Sequence, residues 1–400
     1  MIFKSRFRVS FYAVLCLMLF VEGAFAQSTS VLTNKMFNGL LSEHALRNEF
    51  PEYLTAPNQG SVAVEYTFDE DLHNHIASIY RAYKPDYATF VAIDPATGKV
   101  LSLTSYVKDE DYVGNFALGA SYPAASLFKM VSAAAAIDSK LVSSKTVIPF
   151  NGKSTTLYKS QVLRHKDNKY TRRMTFSEAF ARSSNPVFGR LGIEYLNDEL
   201  LFKYAEKMGF GVQLAQDLPV PPSRFNMGLT EEWERAEASS GFTKDINMSP
   251  VHAASIAAAI VNDGELLEPY AIASVRDQQG NVVFEGKKVV SRQMFSKSTA
   301  QTMKKMMRET ARIGSARKSF SSHRRYKAYK EAEFGGKTGS LSGLNPEGRY
   351  GWFVGYGERN GQQIAYASLV VYKDKWVVRA ARVAFEVLNH VFKQSSSKSG

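Results

Sequence analysis

Gly351-Trp352-Phe353-Val354-Gly355-Tyr356 and Ile364-Ala365-Tyr366-Ala367-Ser368-Leu369-Val370-Val371-Tyr372, parted by Glu358-Arg359-Asn360-Gly361, read as two strands around a turn. Far upstream, Thr89-Phe90-Val91-Ala92-Ile93 and Val100-Leu101-Ser102-Leu103-Thr104 flank Asp94-Pro95-Ala96-Thr97-Gly98-Lys99 and give another hairpin by the same signals. Between the hairpins the pattern is mostly helical, over about 126–137, 176–182 and 250–261, and helical spacing returns over about 377–392. Strands at both ends with helices between them predict an α+β chain: one sheet assembled from distant segments, carrying a helical insertion, with a cleft where the two meet.

The chain begins with Lys4, Arg6 and Arg8, an apolar run over 11–21, and Ala24-Phe25-Ala26 before Gln27. That is the layout of a cleaved secretory signal, and the run is far shorter than the roughly 20 residues that span a bilayer. Residues 1–26 are therefore expected to be removed on export, which places the protein in the periplasm or cell envelope. Cys16, the only cysteine, lies inside the run, so the mature chain can form no disulfide and no thiolate metal site. Residues 27–60 are polar and broken by Pro51, Pro57 and Gly60, and read as a linker; the Ser- and Lys-rich residues 394–400 read as a disordered tail. Removing Lys4, Arg6, Arg8 and Glu22 lowers the net charge from +12 to +10. Much of the excess sits between Lys304 and Lys330, with no aromatic ladder or nucleic-acid motif beside it. A solvated face, or attraction to wall polymers and lipid headgroups, fits an exported protein better than nucleic acid. With 44% apolar residues the chain has ample material for a core.

Three short motifs carry chemistry. Ser126-Leu127-Phe128-Lys129 begins a helical run, so a separation of three residues puts hydroxyl and amine on one face. Burial and a second cation can lower a lysine pKa by several units, and the neutral amine then accepts the serine proton. Ser-x-x-Lys also occurs at Ser105, Ser315 and Ser395, so the motif alone is weak; helix context and two later motifs single out Ser126. Ser183-Ser184-Asn185 is the only Ser-x-Asn, and follows the capping box Thr175-Phe176-Ser177-Glu178. Pro186 is expected to stop that helix and leave the motif on a loop, where a hydroxyl and an amide can relay a proton and hold a substrate amide. Gly335-Gly336-Lys337-Thr338-Gly339-Ser340 ends like a phosphate loop, but Glu331 stands where that motif needs its first glycine. On a strand edge, Lys337, Thr338 and Ser340 suit a carboxylate instead, and glycine lets substrate backbone approach.

In this order the three motifs resemble those of the penicillin-binding transpeptidase and serine β-lactamase superfamily. The resemblance extends to Gly114-Asn115-Phe116-Ala117-Leu118, Gly314-Ser315-Ala316-Arg317 and Trp352-Phe353-Val354-Gly355-Tyr356, and covers about 61–393. It implies an antiparallel five-stranded sheet flanked by helices plus an all-helical subdomain. It also implies Ser126 as the acylated nucleophile, Lys129 as its base, and Ser183 and Asn185 in proton relay and substrate holding. Lys337, Thr338, Gly339 and Ser340 would receive the terminal carboxylate of a peptidoglycan stem peptide or a β-lactam, and the backbone N–H groups of Ser126 and Ser340 would form the oxyanion hole. Two places depart from the pattern: Tyr122-Pro123-Ala124-Ala125 replaces the usual Pro-Pro-Gly, and Gly241-Phe242 stands where Gly-Gln-Gly is common.

Within the superfamily, no Glu between Asn185 and Lys337 is followed four residues later by Asn, and no Tyr-Gly-Asn or Phe-Gly-Asn follows Asn185, so a β-lactamase is disfavoured. The layout is similar to the transpeptidase domain of high-molecular-weight penicillin-binding proteins, without a glycosyltransferase region or long pedestal ahead of it. A D,D-transpeptidase is the first expectation. A D,D-carboxypeptidase or endopeptidase, or a non-catalytic β-lactam sensor or scaffold for other wall-building proteins, stays open. No Gly-x-Ser-x-Gly elbow supports a Ser-His-Asp triad. On a helix the rings of His73 and His75 point about 200° apart, so a solvated pair is expected rather than a metal site. No metal and no cofactor are expected.

Overall fold

The computed structural model describes residue 39 and residues 41–397, apart from 57–59, 110, 113 and 229. The expected signal peptide, most of 27–40 and residues 398–400 lie outside the described residues. The strands used below are β1 (Tyr53–Ala56), β2 (Gly60–Tyr66), β3 (Tyr87–Ile93), β4 (Val100–Val107), β5 (Ile272–Arg276), β6 (Val282–Glu285), β7 (Glu333–Leu344), β8 (Glu347–Arg359) and β9 (Gln362–Tyr372). The helices are α1 (Glu70–Tyr83), α2 (Lys129–Asp138), α3 (Phe176–Arg182), α4 (Asn185–Glu194), α5 (Glu232–Ser240), α6 (Pro250–Val261), α7 (Lys297–Arg312) and α8 (Ala380–Ser397).

Both expected hairpins form, and they join into one five-stranded antiparallel sheet of order β7-β8-β9-β3-β4. Leu369 of β9 faces Thr89 of β3 across the seam between the hairpins. Successive strand side chains point to opposite faces, and β3 shows the consequence. Val91 and Ile93 enter one apolar cluster with α2 and α6, while Phe90 and Ala92 enter another with α1 and α8. A sheet covered on both faces explains why these strands read as continuous apolar runs rather than alternating ones. Helix α6 is buried along almost its whole length because it is wedged between the sheet and the helical region. Ser249 caps it through the His252 N–H, and Pro250 occupies a first-turn position where no N–H is needed.

Three expectations change. Part of the supposed linker, within 41–56, is structured: a short helix over 41–46 buries Leu41 and Ala45, and β1 pairs with β2 in a side sheet of order β1-β2-β5-β6. A real strand follows Pro51 here, too short to show a period. The tail expected to be disordered from 394 is helical as far as Ser397, because Ser395 is buried and bonds the Phe392 carbonyl at 3.0 Å while Gln394 reaches Asp71. His73 and His75 are not a solvated pair: the ring of His75 stacks on His390 with centroids 4.0 Å apart, and His73 lies 3.4 Å from the Thr104 hydroxyl.

Gly314, between α7 and β7, packs against the end of α3. A Cβ there would lie 2.1 Å from the Ala181 carbonyl oxygen and 2.8 Å from Thr310 Cα. Both are main-chain atoms, so the backbone must shift. Gly314→Ala is expected to cost about 1–3 kcal/mol, as overpacking does, read as a lowered midpoint in thermal or urea unfolding; an unchanged midpoint would mean that the two segments can slide apart.

Candidate active site

Ser126 does not sit on an α-helix. It belongs to a 3-10 turn, Ala125–Phe128, which runs into α2 at Lys129. In a 3-10 turn side chains three residues apart eclipse one another, so Ser126 and Lys129 face each other more directly than an α-helix would allow. The Lys129 Nζ lies 2.8 Å from Ser126 Oγ and 2.7 Å from Asn185 Oδ1, and also bonds the Ser240 carbonyl. Three acceptors around one nitrogen satisfy an ammonium; they equally suit a neutral amine that donates to Asn185 and Ser240 and accepts the serine proton. Lys129 is fully buried, and burial first, then the charge of Lys337, hold its pKa well below the ordinary lysine value.

The turn is braced from two sides. Ala125 has φ +49°, a left-handed conformation that costs a side-chain-bearing residue roughly 1–2 kcal/mol. Gly241, at φ +63°, closes α5 against it; a Cβ at Gly241 would lie 2.0 Å from the Ala125 carbonyl oxygen. From the other side the Trp352 indole N–H donates to the Pro123 carbonyl at 2.9 Å. The departure at Gly241-Phe242 leaves the following segment ordered, as Ile246–Met248 pairs with Tyr122–Pro123.

The Ser183-Ser184-Asn185 motif lies at a joint between two helices rather than on a free loop. Thr175 caps α3 as expected, through the Glu178 N–H. Ser183, at φ +57°, ends that helix, and Asn185 begins α4 with Pro186 in its first turn. Proline therefore starts a helix here, while the left-handed Ser183 ends the one before it. The reversal turns Ser183 and Asn185 toward different lysines. Asn185 Nδ2 donates to the Thr155 carbonyl at 3.0 Å, fixing Oδ1 toward Lys129.

Lys337 is fully buried on β7, an edge strand, and donates to Ser183 Oγ at 2.8 Å and to the Thr338 carbonyl at 2.9 Å. Burial pushes its pKa down to about 7. Thr338 is half-buried, and its hydroxyl lies 2.6 Å from Ser315 Oγ. Gly339 is buried; a Cβ would stand 3.3 Å from the Ala124 carbonyl, from Leu127 and from Trp352, so glycine lets the strand lie against the nucleophile turn. Ser340 is exposed at the cleft. All eight residues singled out by sequence thus gather in one region: Ser126, Lys129 and Asn185 form one hydrogen-bonded group, Lys337 and Ser183 another, and Thr338, Gly339 and Ser340 line an adjoining cavity of about 400 Å³.

Sequence reasoning missed the Ser240 and Thr155 carbonyls, which no side-chain pattern can mark. It also treated the Ser-x-x-Lys at Ser315 as chance. That lysine pairing is indeed unused here, but the Ser315 hydroxyl reaches Thr338.

A sequence profile of the penicillin binding protein transpeptidase domain matches residues 88–393. Stage V sporulation protein D of Bacillus subtilis is 26% identical over 279 residues, 67% of this chain and 42% of that protein. Peptidoglycan D,D-transpeptidase PbpA of Mycobacterium tuberculosis is 25% identical over 252 residues, 54% of this chain and 50% of its own. The chain therefore spans about half the length of these curated relatives. Among solved structures, the D,D-transpeptidase domain of a peptidoglycan glycosyltransferase from Eggerthella lenta superposes with a TM-score of 0.69 at 22% identity, covering 85% of both chains. The ceftriaxone acyl-enzyme complex of M. tuberculosis penicillin-binding protein A gives 0.67 at 20% identity, covering 84% of this chain and 80% of that one. With the profile matching well over half its length, the chain belongs to the penicillin-binding protein transpeptidase domain family.

Proposed function

We propose that the protein is a serine D,D-transpeptidase that acts on D-alanyl-D-alanine stem peptides of peptidoglycan through an acyl-enzyme on Ser126, the serine that penicillin also acylates. One observation carries the reading: a fully buried lysine with a lowered pKa, its amine 2.8 Å from the hydroxyl of a half-buried serine. In this reading neutral Lys129 takes the Ser126 proton, a service worth roughly 10²- to 10⁴-fold. The oxygen attacks the penultimate carbonyl, and the N–H groups of Ser126 and Ser340 receive the oxyanion. Ser183, which accepts from the Lys337 amine at 2.8 Å, passes its proton to the departing D-alanine and is reprotonated by Lys337. Asn185 holds Lys129 and the substrate amide, while Lys337, Thr338 and Ser340 grip the terminal carboxylate across Gly339. An acceptor amine then takes the acyl group, giving a proton to the Ser183–Lys337 pair, while Lys129 returns its proton to the departing Ser126 oxygen.

Residues 1–26 serve as the export signal in this account, and the protein works in the periplasm or cell envelope beside other wall-building proteins. Among the described residues no helix is long and apolar enough to cross a membrane.

Weighing the intact protein after exposure to penicillin tests the reading. Ring opening loses no atoms, so one full penicillin mass is expected, on the peptide that contains Ser126; no uptake would end the acyl-enzyme account. A pentapeptide substrate with and without an acceptor amine then separates the fates of the acyl group. Cross-linked product supports transfer, free D-alanine alone makes the protein a D,D-carboxypeptidase, and labelling without turnover makes it a sensor.

The two lysines set a pH dependence. Lys129 must be neutral, so acylation falls as pH drops through its lowered pKa. Lys337 must be charged to attract a carboxylate, and its pKa of about 7 places the alkaline limb just above neutrality. The second-order rate constant for penicillin acylation is expected to trace a bell, and Lys337→Met to flatten the alkaline limb. An alkaline limb that survives this change belongs to another group.

A further inference from the structure

The cavity of about 400 Å³ beside the acylation centre is bordered by Ser315, Thr338 and Ser340 on one side and by Trp376 and Arg379 on the other. Nothing in the chemistry above uses the second side. The Trp376 indole is 40% exposed, yet it is held: it packs over Gly351, where a Cβ would lie 2.6 Å from its ring, and against Tyr372, with centroids 5.1 Å apart. Gly351 is the register partner of Ser340, so the indole stands beside the row of the sheet that carries Ser340. Arg379 is exposed three residues further on, and among the described residues its guanidinium has no ion-pair partner. Its neighbour Arg382, by contrast, is held by Glu386 at 2.7 Å.

Strand β7 fixes the direction of a bound peptide. Its course runs from buried Lys337 to exposed Ser340 and on to Leu344, 75% exposed. With the terminal carboxylate at Lys337 and Thr338 and the scissile carbonyl at Ser340, the residue that precedes D-alanyl-D-alanine lies beyond Ser340, beside the indole. We infer that Trp376 and Arg379 form a specificity subsite for that residue, selecting a long side chain that ends in a carboxylate: the methylenes lie along the indole and the carboxylate meets the guanidinium, whose planar fork matches it. The inference rests on the acyl-transfer reading of Ser126.

Competition against a fluorescent penicillin tests it without requiring turnover. Two pentapeptides ending in D-alanyl-D-alanine, identical except that the third residue is meso-diaminopimelate or lysine, differ at that side chain by one carboxylate. The diaminopimelate peptide is expected to protect wild-type protein at about fivefold lower concentration, the upper range for a partly solvated ion pair. The advantage should shrink in 1 M salt, vanish in Arg379→Ala and return in part in Arg379→Lys, while penicillin labels all three proteins at rates within about twofold, as for a surface change away from the reacting atoms. Equal protection of the wild type by both peptides, or an advantage that survives Arg379→Ala, overturns the subsite. Failure of penicillin to label the wild type is a different result, and removes the acyl-transfer reading together with the subsite.

Discussion

Protein carrying Ser126→Ala is expected to take up no penicillin under conditions in which the wild type is fully labelled. The hydroxyl that disappears is the one 2.8 Å from the buried Lys129 amine. Among the described residues, the other hydroxyl held by a buried lysine is that of Ser183, which faces Lys337. Lys337, with a pKa near 7, is itself able to lose its proton at neutral pH, so Ser183 is the real competitor. Mass spectrometry of the digested, labelled wild type distinguishes the two. The substitution removes a single oxygen from a half-buried site and adds nothing to the tight contact between Ala125 and Gly241, so the melting temperature should stay near that of the wild type. Labelling that persists in folded Ser126→Ala protein assigns the nucleophile elsewhere.

Lys129→Met is expected to slow acylation by about 10²- to 10⁴-fold at neutral pH, the usual worth of a positioned general base. Methionine fills most of the same volume but leaves Ser126, Asn185 and the Ser240 carbonyl without their shared partner. The loss should also remove the acid limb of the pH profile, which Lys129 supplies. Stability carries an independent signature. A buried lysine whose folded pKa is lowered binds its proton more weakly in the folded chain than in the unfolded one. Stability of the wild type should therefore rise with pH from the lowered pKa up to the ordinary value near 10.5. In Lys129→Met that slope should be reduced to the part due to Lys337, which acts from about 7 upward. Stopped-flow acylation and melting curves taken from below neutrality up to about pH 10, near the ordinary lysine pKa, check both. An acylation rate close to wild type would show that some other group takes the proton.

Much of the sheet was legible because hairpins are local objects. A run such as Gly351 to Tyr356, a turn, and an apolar run to Tyr372 specify their own pairing through turn chemistry and side-chain alternation. Helices α3 and α6 were legible for a similar reason, through the cap Thr175 with Glu178 and through the helical spacing over about 250–261. Residues 41–56 were not, because a four-residue strand shows no period and becomes a strand only when β2 supplies the hydrogen bonds. The Ser183 to Asn185 joint was half legible: the end of α3 was marked in the sequence, but the start of α4 two residues later was masked by the same proline that begins it.

Sequence by itself determined which groups are available and which are neighbours along the chain: a hydroxyl three residues from an amine, a hydroxyl two residues from an amide, a lysine beside a glycine on a strand. Spacing of that kind is set by covalent geometry and the pitch of a helix, so it needs no tertiary fold. Only the tertiary structure decided how far the two lysines are desolvated, which carbonyls receive them, and that Gly241 presses on Ala125 from more than a hundred residues away. Those are properties of surfaces brought together by burial, and the pKa shifts they cause exist only once water has been excluded from both amines.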